Sequence, residues 1–161
     1  MAQLLKDHKV VEDQWLMVDE QVKTLPCGDI LLSVCQWQQF VDQLDQHNGK
    51  IGVWLEGNAE IEEIIESLLD LPLIAIKFPK FVDGRGFSLA RLLRERYQYT
   101  GELRAIGEFI RDQLYLLKRC GFNAFQFSDN IDLSEAAKSL DDFSETYQVS
   151  TDQIIPLFRR R

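Results

Sequence analysis

The sequence predicts an α/β fold in a single domain, with a mostly parallel sheet of about five to six strands covered by about five helices. Short apolar runs of strand length alternate with longer stretches whose apolar residues recur at helical spacing. The connections are short, which favours right-handed crossovers between parallel strands. The run LIAIKF at 73–78 is apolar almost throughout, as in strands buried on both faces of a parallel sheet. An open sheet and part of a barrel both fit this pattern.

The predicted strands are six short apolar runs. The first two are separated by the turn cluster LPCGD at 25–29, so they form either a hairpin or neighbouring strands. Each later run follows a helix-like stretch, which is why those strands are expected to be parallel. The six runs cover residues 15–18, 30–34, 51–55, 73–78, 102–106 and 123–127.

The predicted helices are recognised by apolar residues three and four positions apart, and some also by signals at their ends. In the first helix, Trp37, Phe40, Val41 and Leu44 form one apolar face. Gly121 is a C-terminal cap candidate, and Asp132 with Glu135 has the spacing of an N-terminal capping box. The helices are expected at 36–47, 59–69, 87–97, 108–120 and from 133 to about 147.

Length and composition favour one globular domain covering 1–161, with residues 1–14 and 150–161 loosely packed. The chain is 45% hydrophobic and 27% charged and has only four prolines, which argues against disorder. Because no apolar run approaches the length of a membrane helix and the start lacks a secretion signal, we expect a soluble cytoplasmic protein without membrane partners. The three cysteines have no CxxC spacing, so they are interpreted as reduced packing residues.

Charge is unevenly distributed along the chain. The formal net charge is -8, but residues 77–119 contain ten Lys or Arg against five Asp or Glu, a local balance of +5. The overall acidity argues against nucleic acid as a partner, because proteins that bind the phosphate backbone are usually basic. A small anion or an acidic protein surface is the more suitable partner for the basic segment.

The loop after the fourth predicted strand is the main site candidate, since ligands of parallel sheets bind at the carboxyl ends of strands. Glycines in the motif DGRG permit positive φ and close approach of a ligand, and the following helix offers unpaired N–H groups. We predict that this loop binds a small oxyanion or phosphate. The predicted anion-binding residues are Lys80, Gly84, Arg85, Gly86 and Ser88.

Asp83 and Arg85 are the candidate catalytic residues, with Asp83 orienting the Arg85 guanidinium or accepting from a bound hydroxyl. The alternative is a plain tight turn in which Asp83 caps the helix and Arg85 lies in solvent. Supporting contacts around the site are expected from Arg104, Glu108, Arg111 and Asp112.

No motif for a metal or a cofactor is present. The chain lacks GxGxxG after a strand, the GxxxxGK[ST] loop, GxSxG and HExxH. Its two histidines, His8 and His47, lie near the N-terminus and a predicted helix end, which argues against histidine-based catalysis or metal binding. We therefore expect no metal site, and the cofactor is left unknown.

The runs FPKFVDGRGFSLARLLRER and GELRAIGEFIRDQLYLLKRCGFNAFQF, with the terminal YQ and PLFRRR, carry a family resemblance. They resemble a bacterial family whose domain has no assigned function and whose members are described as probable oxidoreductases involved in sulfite reduction. Its genes lie beside that of the sulfite reductase haemoprotein. The resemblance implies a pathway rather than a reaction.

The resemblance implies an accessory protein of assimilatory sulfite reduction, within sulfate assimilation and cysteine biosynthesis. Such a protein binds an oxyanion at the DGRG loop, docks on sulfite reductase or its electron donor, or does both. One alternative is an oxidoreductase with a borrowed flavin or nicotinamide, and another is an oxyanion sensor or small enzyme. The tail Arg159-Arg160-Arg161 either docks on a partner or packs back on the domain.

Overall fold

The computed structural model describes residues 3–128 and 131–160. Within them, eight strands form one sheet in the order β2-β1-β8-β7-β6-β5-β4-β3. The strands β3 to β8 are parallel and follow chain order, whereas β1 is antiparallel to both β2 and β8. The strands are β1 Gln3–Lys6, β2 Lys9–Glu12, β3 Leu16–Met17, β4 Ile30–Ser33, β5 Ile51–Glu56, β6 Leu73–Phe78, β7 Glu102–Gly107 and β8 Ala124–Phe127.

Six α-helices are present in the described part of the chain. They are α1 Val34–Gln39, α2 Val41–Leu44, α3 Ile65–Leu69, α4 Arg85–Glu95, α5 Leu114–Arg119 and α6 Leu133–Lys138. Short 3-10 turns cover Arg111–Gln113, Ser139–Asp141 and Leu157–Arg159. None of the described helices is long and apolar enough to cross a membrane.

The main core lies between the helices and one face of the sheet. Strand residues such as Ile74 and Leu103 pack there with helix residues such as Leu89 and Leu117. Because consecutive parallel strands are joined by right-handed crossovers, the helices cover the same face and the sheet curls into a half-barrel.

The opposite, inner face of the sheet has a smaller core of its own. Leu31, Leu73, Ala75 and Ile106 are buried there, and Trp15 and Trp54 pack against them. Trp15 belongs to the segment between β2 and β3, which therefore contributes to the cover of the inner face without a helix.

The predicted α/β class and mostly parallel sheet are confirmed, and the barrel-like alternative describes the curvature. The strand count is higher than predicted because residues 3–12, expected to be loosely packed, form the β1–β2 hairpin. Leu4 and Leu5 are buried in this hairpin. The first two predicted strands are parallel neighbours rather than a hairpin.

Most helices are shorter than predicted. The first is interrupted at Phe40, and the stretch 59–64 is irregular, with a turn at 62–64, before α3 begins at Ile65. The last helix ends at Lys138 instead of continuing to about 147. Two predicted end signals are confirmed: Gly121 has φ +108°, and the Asp132 side chain accepts hydrogen bonds from the N–H groups of Ser134 and Glu135.

Candidate functional site

The carboxyl ends of the parallel strands bring the loops after β4, β5, β6 and β7 to one edge of the sheet. The loops after β5 and β6 touch directly. A Cβ on Gly57 would lie 2.7 Å from the amide nitrogen of Gly86, at the start of α4. This close approach requires glycine at position 57. The loop after β5 therefore covers one side of the N-terminus of α4.

Asp83 and Arg85 form an ion pair at this edge. The Arg85 Nε donates to Asp83 Oδ1 at 2.9 Å and Nη2 donates to Oδ2 at 2.5 Å, while the Arg85 backbone N–H also donates to Oδ1. These hydrogen bonds from Arg85 lower the pKa of Asp83 to about 2. The same contacts raise the pKa of Arg85, and the nearby Glu56 carboxylate adds to that effect. Asp83 therefore orients Arg85.

The edge of the Arg85 guanidinium that carries Nη1 makes no hydrogen bond to Asp83. The Arg85 side chain is 58% exposed, against 14% for that of Asp83. The two side-chain hydrogen bonds to Asp83 use Nε and Nη2. No described residue accepts a hydrogen bond from Nη1 of Arg85. A guanidinium has five N–H donors, so the remaining ones are available to a ligand. Lys80 is exposed in the same turn, where its carbonyl accepts from the Asp83 N–H at 3.0 Å.

The glycines of the loop have roles other than the one expected. Neither Gly84 nor Gly86 has positive φ, so that expectation was wrong. Gly84 has φ -85°, and a Cβ added there would have no atom within 4 Å, whereas a Cβ on Gly86 would lie 2.7 Å from the Phe78 ring. Gly86 therefore allows α4 to pack closely on β6. Ser88 lies inside α4, whose N-cap residue is Gly84. The N–H of Arg85, the first residue of the helix, donates to Asp83 Oδ1, as expected for the alternative in which Asp83 caps the helix.

Arg104 is placed in a buried network on the inner face, not at the loop. It is 2% exposed, and its guanidinium donates to Asp13 at 3.0 Å and to Glu102 at 2.8 Å. Gln126 accepts a further bond, and Lys6 donates to the second oxygen of Glu102 at 2.6 Å. Two carboxylates, those of Asp13 and Glu102, thus compensate the buried guanidinium charge.

None of the other three predicted supporting residues forms a hydrogen bond or an ion pair with Arg85. Arg111 donates from Nε to Ser139 Oγ at 2.7 Å, and Glu108 and Asp112 are exposed. Instead, Gln113 reaches the loop, because its side-chain amide donates to the Phe81 carbonyl at 2.9 Å. Gln113 thereby links the start of α5 to the DGRG loop.

A cavity of about 510 Å³ lies at the carboxyl ends of β4 and β5, and no residue of the DGRG loop lines it. Trp54 lines it, and the Lys77 ammonium lies 4.8 Å from the centre of the Trp54 indole. Its size is within the range of small-molecule sites. Its lining includes Glu56 and Asn58 from the loop after β5, and it also includes residues from distant segments that the sequence analysis did not place at a site, namely Glu20, Ser33, Cys35 and Gln39.

The sequence does contain a signal for the cavity residues at the start of α1. Ser33 and Gln36 form a capping box, in which each side chain bonds the other's backbone N–H. This S-x-x-Q pattern marks a helix start at Val34 and so places Cys35 at the carboxyl edge. Cys35 and Cys27 are exposed rather than packed, whereas Cys120 is buried and burial raises the pKa of its thiol.

Within residues 3–128 and 131–160, no group of three or more His, Cys, Asp or Glu side chains is arranged to hold a metal ion. No curated protein and no solved structure matches the chain. A family model described as a bacterial protein of unknown function (DUF934) matches residues 52–158, from β5 to the last 3-10 turn. Because this match covers well over half of the sequence, the chain belongs to the DUF934 family of bacterial proteins.

Proposed function

We propose that the protein is an accessory protein of assimilatory sulfite reduction that binds a small oxyanion at the carboxyl edge of its sheet, at Arg85. The pathway comes from the sequence resemblance described above. The observation that supports oxyanion binding is the geometry of Arg85, which is held on one edge by Asp83 and exposed on the other. A fixed, exposed guanidinium edge suits the paired oxygens of sulfite, sulfate or phosphate.

The remaining predicted residues have smaller parts in this proposal. Lys80 adds a positive charge from the same turn, and Gly86 allows the start of α4 to lie close to Phe78, whereas the space around Gly84 is open. Two charge-assisted hydrogen bonds to a ligand correspond to dissociation constants on the order of millimolar. The proposed site therefore binds weakly.

Asp83 is better suited to orienting Arg85 than to proton transfer. With a pKa of about 2, its carboxylate has no proton to donate at neutral pH and is a weak base. This supports a binding role over the alternative of a small enzyme that uses Asp83 and Arg85 as catalytic residues.

The test is isothermal titration calorimetry with sulfite, sulfate and phosphate at low ionic strength. We expect Arg85→Ala to weaken binding by at least about tenfold, because the bidentate contact is lost. Arg91→Ala is the matched control, since Arg91 is an exposed arginine of the same helix that pairs with Glu95 at 2.9 Å. The control should bind like the native chain.

Two results would contradict this proposal. The first is the absence of binding by the native chain at oxyanion concentrations well above millimolar. The second is an equal loss in the Arg85→Ala and Arg91→Ala variants, which would indicate a general charge effect rather than a site.

A second candidate function is an oxidoreductase with a borrowed flavin or nicotinamide. The cavity at β4 and β5 favours it, because Trp54 offers an aromatic wall in a space large enough for part of such a ring system. Absorption spectra of the freshly purified protein, and fluorescence titration with FMN and NADPH, test this candidate. Quenching of tryptophan fluorescence that Trp54→Leu abolishes would favour the cofactor enzyme over the accessory protein.

A further inference from the structure

The cavity at the carboxyl ends of β4 and β5 has charged groups of one sign only in its lining. Its volume is about 510 Å³, and it is enclosed by the end of β4 with α1, the end of β5 with the following loop, and the segment after β3. Among the described residues that line it, none is Lys, Arg or His. A cavity with carboxylates and no basic group attracts cations and repels anions. Its carboxylates are those of Glu20, Glu56 and Glu60.

Two of these carboxylates are uncompensated. Neither Glu20 nor Glu60 lies within ion-pair distance of a basic side chain in the part of the chain that the structure describes. Glu56 differs, because it lies opposite Lys77 in the register of β5 and β6 and also near Arg85. A cation that enters the cavity therefore meets two negative charges that no described basic residue pairs with.

The aromatic wall of the cavity also suits a cation. Trp54 lines the cavity and is partly exposed, and the Lys77 ammonium lies over its indole ring at 4.8 Å from the centre. The face of an indole attracts a positive charge, and its flat apolar surface packs against the body of an organic molecule. An aromatic wall next to carboxylates therefore favours an organic cation over a bare metal ion.

A buried hydroxyl at the cavity has an unused donor. Ser33 is 9% exposed, and its Oγ accepts from the Gln36 N–H at 3.2 Å as the cap of α1. Among residues 3–128 and 131–160, none accepts a hydrogen bond from this hydroxyl, and Ser33 lines the cavity. Since buried polar groups are normally hydrogen-bonded, an oxygen of a ligand would complete the bonding of Ser33.

We propose that this cavity binds a small organic cation, a protonated amine with an apolar body and a hydroxyl or carbonyl oxygen. The ammonium pairs with Glu20 and Glu60. The body packs on Trp54, and the oxygen accepts from Ser33. The site is separate from the proposed oxyanion site, because no residue of the DGRG loop lines the cavity. Its ligand is also opposite in charge to the phosphates of FMN and NADPH.

The probe is phenylalaninol, which carries an ammonium, a phenyl ring and a hydroxyl. Phenylpropanol, which lacks only the amino group, is its neutral counterpart. Two-dimensional NMR of the nitrogen-labelled full-length chain follows the indole N–H signals of its three tryptophans, and Trp54→Phe identifies that of Trp54. We expect phenylalaninol to shift this signal with a dissociation constant on the order of millimolar, and phenylpropanol to bind at least about tenfold more weakly.

The variants remove one charge at a time and keep the size of the side chain. Glu20→Gln and Glu60→Gln are each expected to weaken phenylalaninol binding at least about threefold, and the double variant at least about tenfold. Glu62→Gln is the matched control, because Glu62 is exposed in the same loop and does not line the cavity. It should bind like the native chain. All three glutamates are exposed, so thermal melts of the variants should show the native transition.

Arg85→Ala separates this inference from the proposed function. It should lose the oxyanion and keep phenylalaninol, whereas Glu60→Gln should do the opposite. The inference is overturned if phenylalaninol well above millimolar concentration leaves the Trp54 signal unchanged, or if phenylpropanol binds equally well. It is also overturned if Glu20→Gln and Glu60→Gln bind like Glu62→Gln, or if FMN displaces phenylalaninol from the cavity, because the cavity would then serve the cofactor.

Discussion

Arg104 shows how a charged residue is accommodated in the middle of a parallel sheet. Its neighbour on β6 is Ala75, whose small side chain leaves room for the guanidinium on the inner face. Asp13 and Glu102 accept its hydrogen bonds, and both carboxylates are almost fully buried. A buried pair adds little to stability by itself, but removing one member leaves an uncompensated charge. Here the bond between Arg104 and Asp13 also holds the segment after β2 against the inner face of the sheet.

We therefore predict that Arg104→Ala lowers the free energy of unfolding by about 3–5 kcal/mol, because Asp13 and Glu102 would remain buried without their partner. Arg91→Ala removes an exposed i,i+4 pair and should cost about 0.5 kcal/mol or less. Urea denaturation followed by circular dichroism measures both. Similar costs for the two variants would show that water replaces the Arg104 guanidinium at little expense.

The start of α4 illustrates which part of the site can be predicted from sequence. The Asp83–Arg85 pair is local, so the order of residues in the motif was enough to predict that Asp83 orients Arg85. The roles of Gly57 and Gly86 depend on how closely two loops and β6 approach, which a single sequence does not show. The same holds for the cavity, since Glu20 and Cys35 reach it from segments far from Glu56 in sequence.

Strands were predicted more accurately than helices, for a physical reason. Parallel strands such as β6 are buried on both faces, so their apolar runs have sharp ends. Helical periodicity records which residues are buried and does not require the backbone between them to be helical. Ile61 is 1% exposed and lies within the predicted helix 59–69, but its backbone is irregular and α3 begins only at Ile65. The hairpin strands β1 and β2 contain only two apolar residues each, Leu4-Leu5 and Val10-Val11, which is too few for a clear pattern.

The two glycines around the start of α4 give a prediction for this element. Gly86→Ala should lower the free energy of unfolding by about 1–3 kcal/mol, since its Cβ would overlap the Phe78 ring. Gly84→Ala should change it by about 0.5 kcal/mol or less, because a poorer N-terminal cap offsets the lower entropy of the unfolded chain. Thermal and urea unfolding measure both. An equal cost at the two positions would mean that backbone conformation, rather than contact with Phe78, requires glycine.

At the scale of the whole molecule, the range matched by the family model covers only four of the eight strands in the described sheet. The match begins at Gly52, so it leaves out β1 to β4. In the full chain, all four residues of β4 pair with β5, and Leu5 of β1 lies opposite Phe125 of β8. Without these partners, both edges of the remaining four strands would expose unpaired backbone groups and apolar side chains.

We therefore predict that a chain of residues 52–158 does not fold cooperatively. It would lose the buried residues Leu5, Ile30 and Leu32, and Arg104 would lose its Asp13 partner. Near-ultraviolet circular dichroism should show no fixed aromatic environment, and urea unfolding should lack a sharp transition. A chain of residues 1–158 is the control, because it keeps all eight strands and should unfold like the full sequence. A sharp, native-like transition for residues 52–158 would show that the sheet edges β5 and β8 are stable unpaired, and that the N-terminal strands were added to a core able to fold without them.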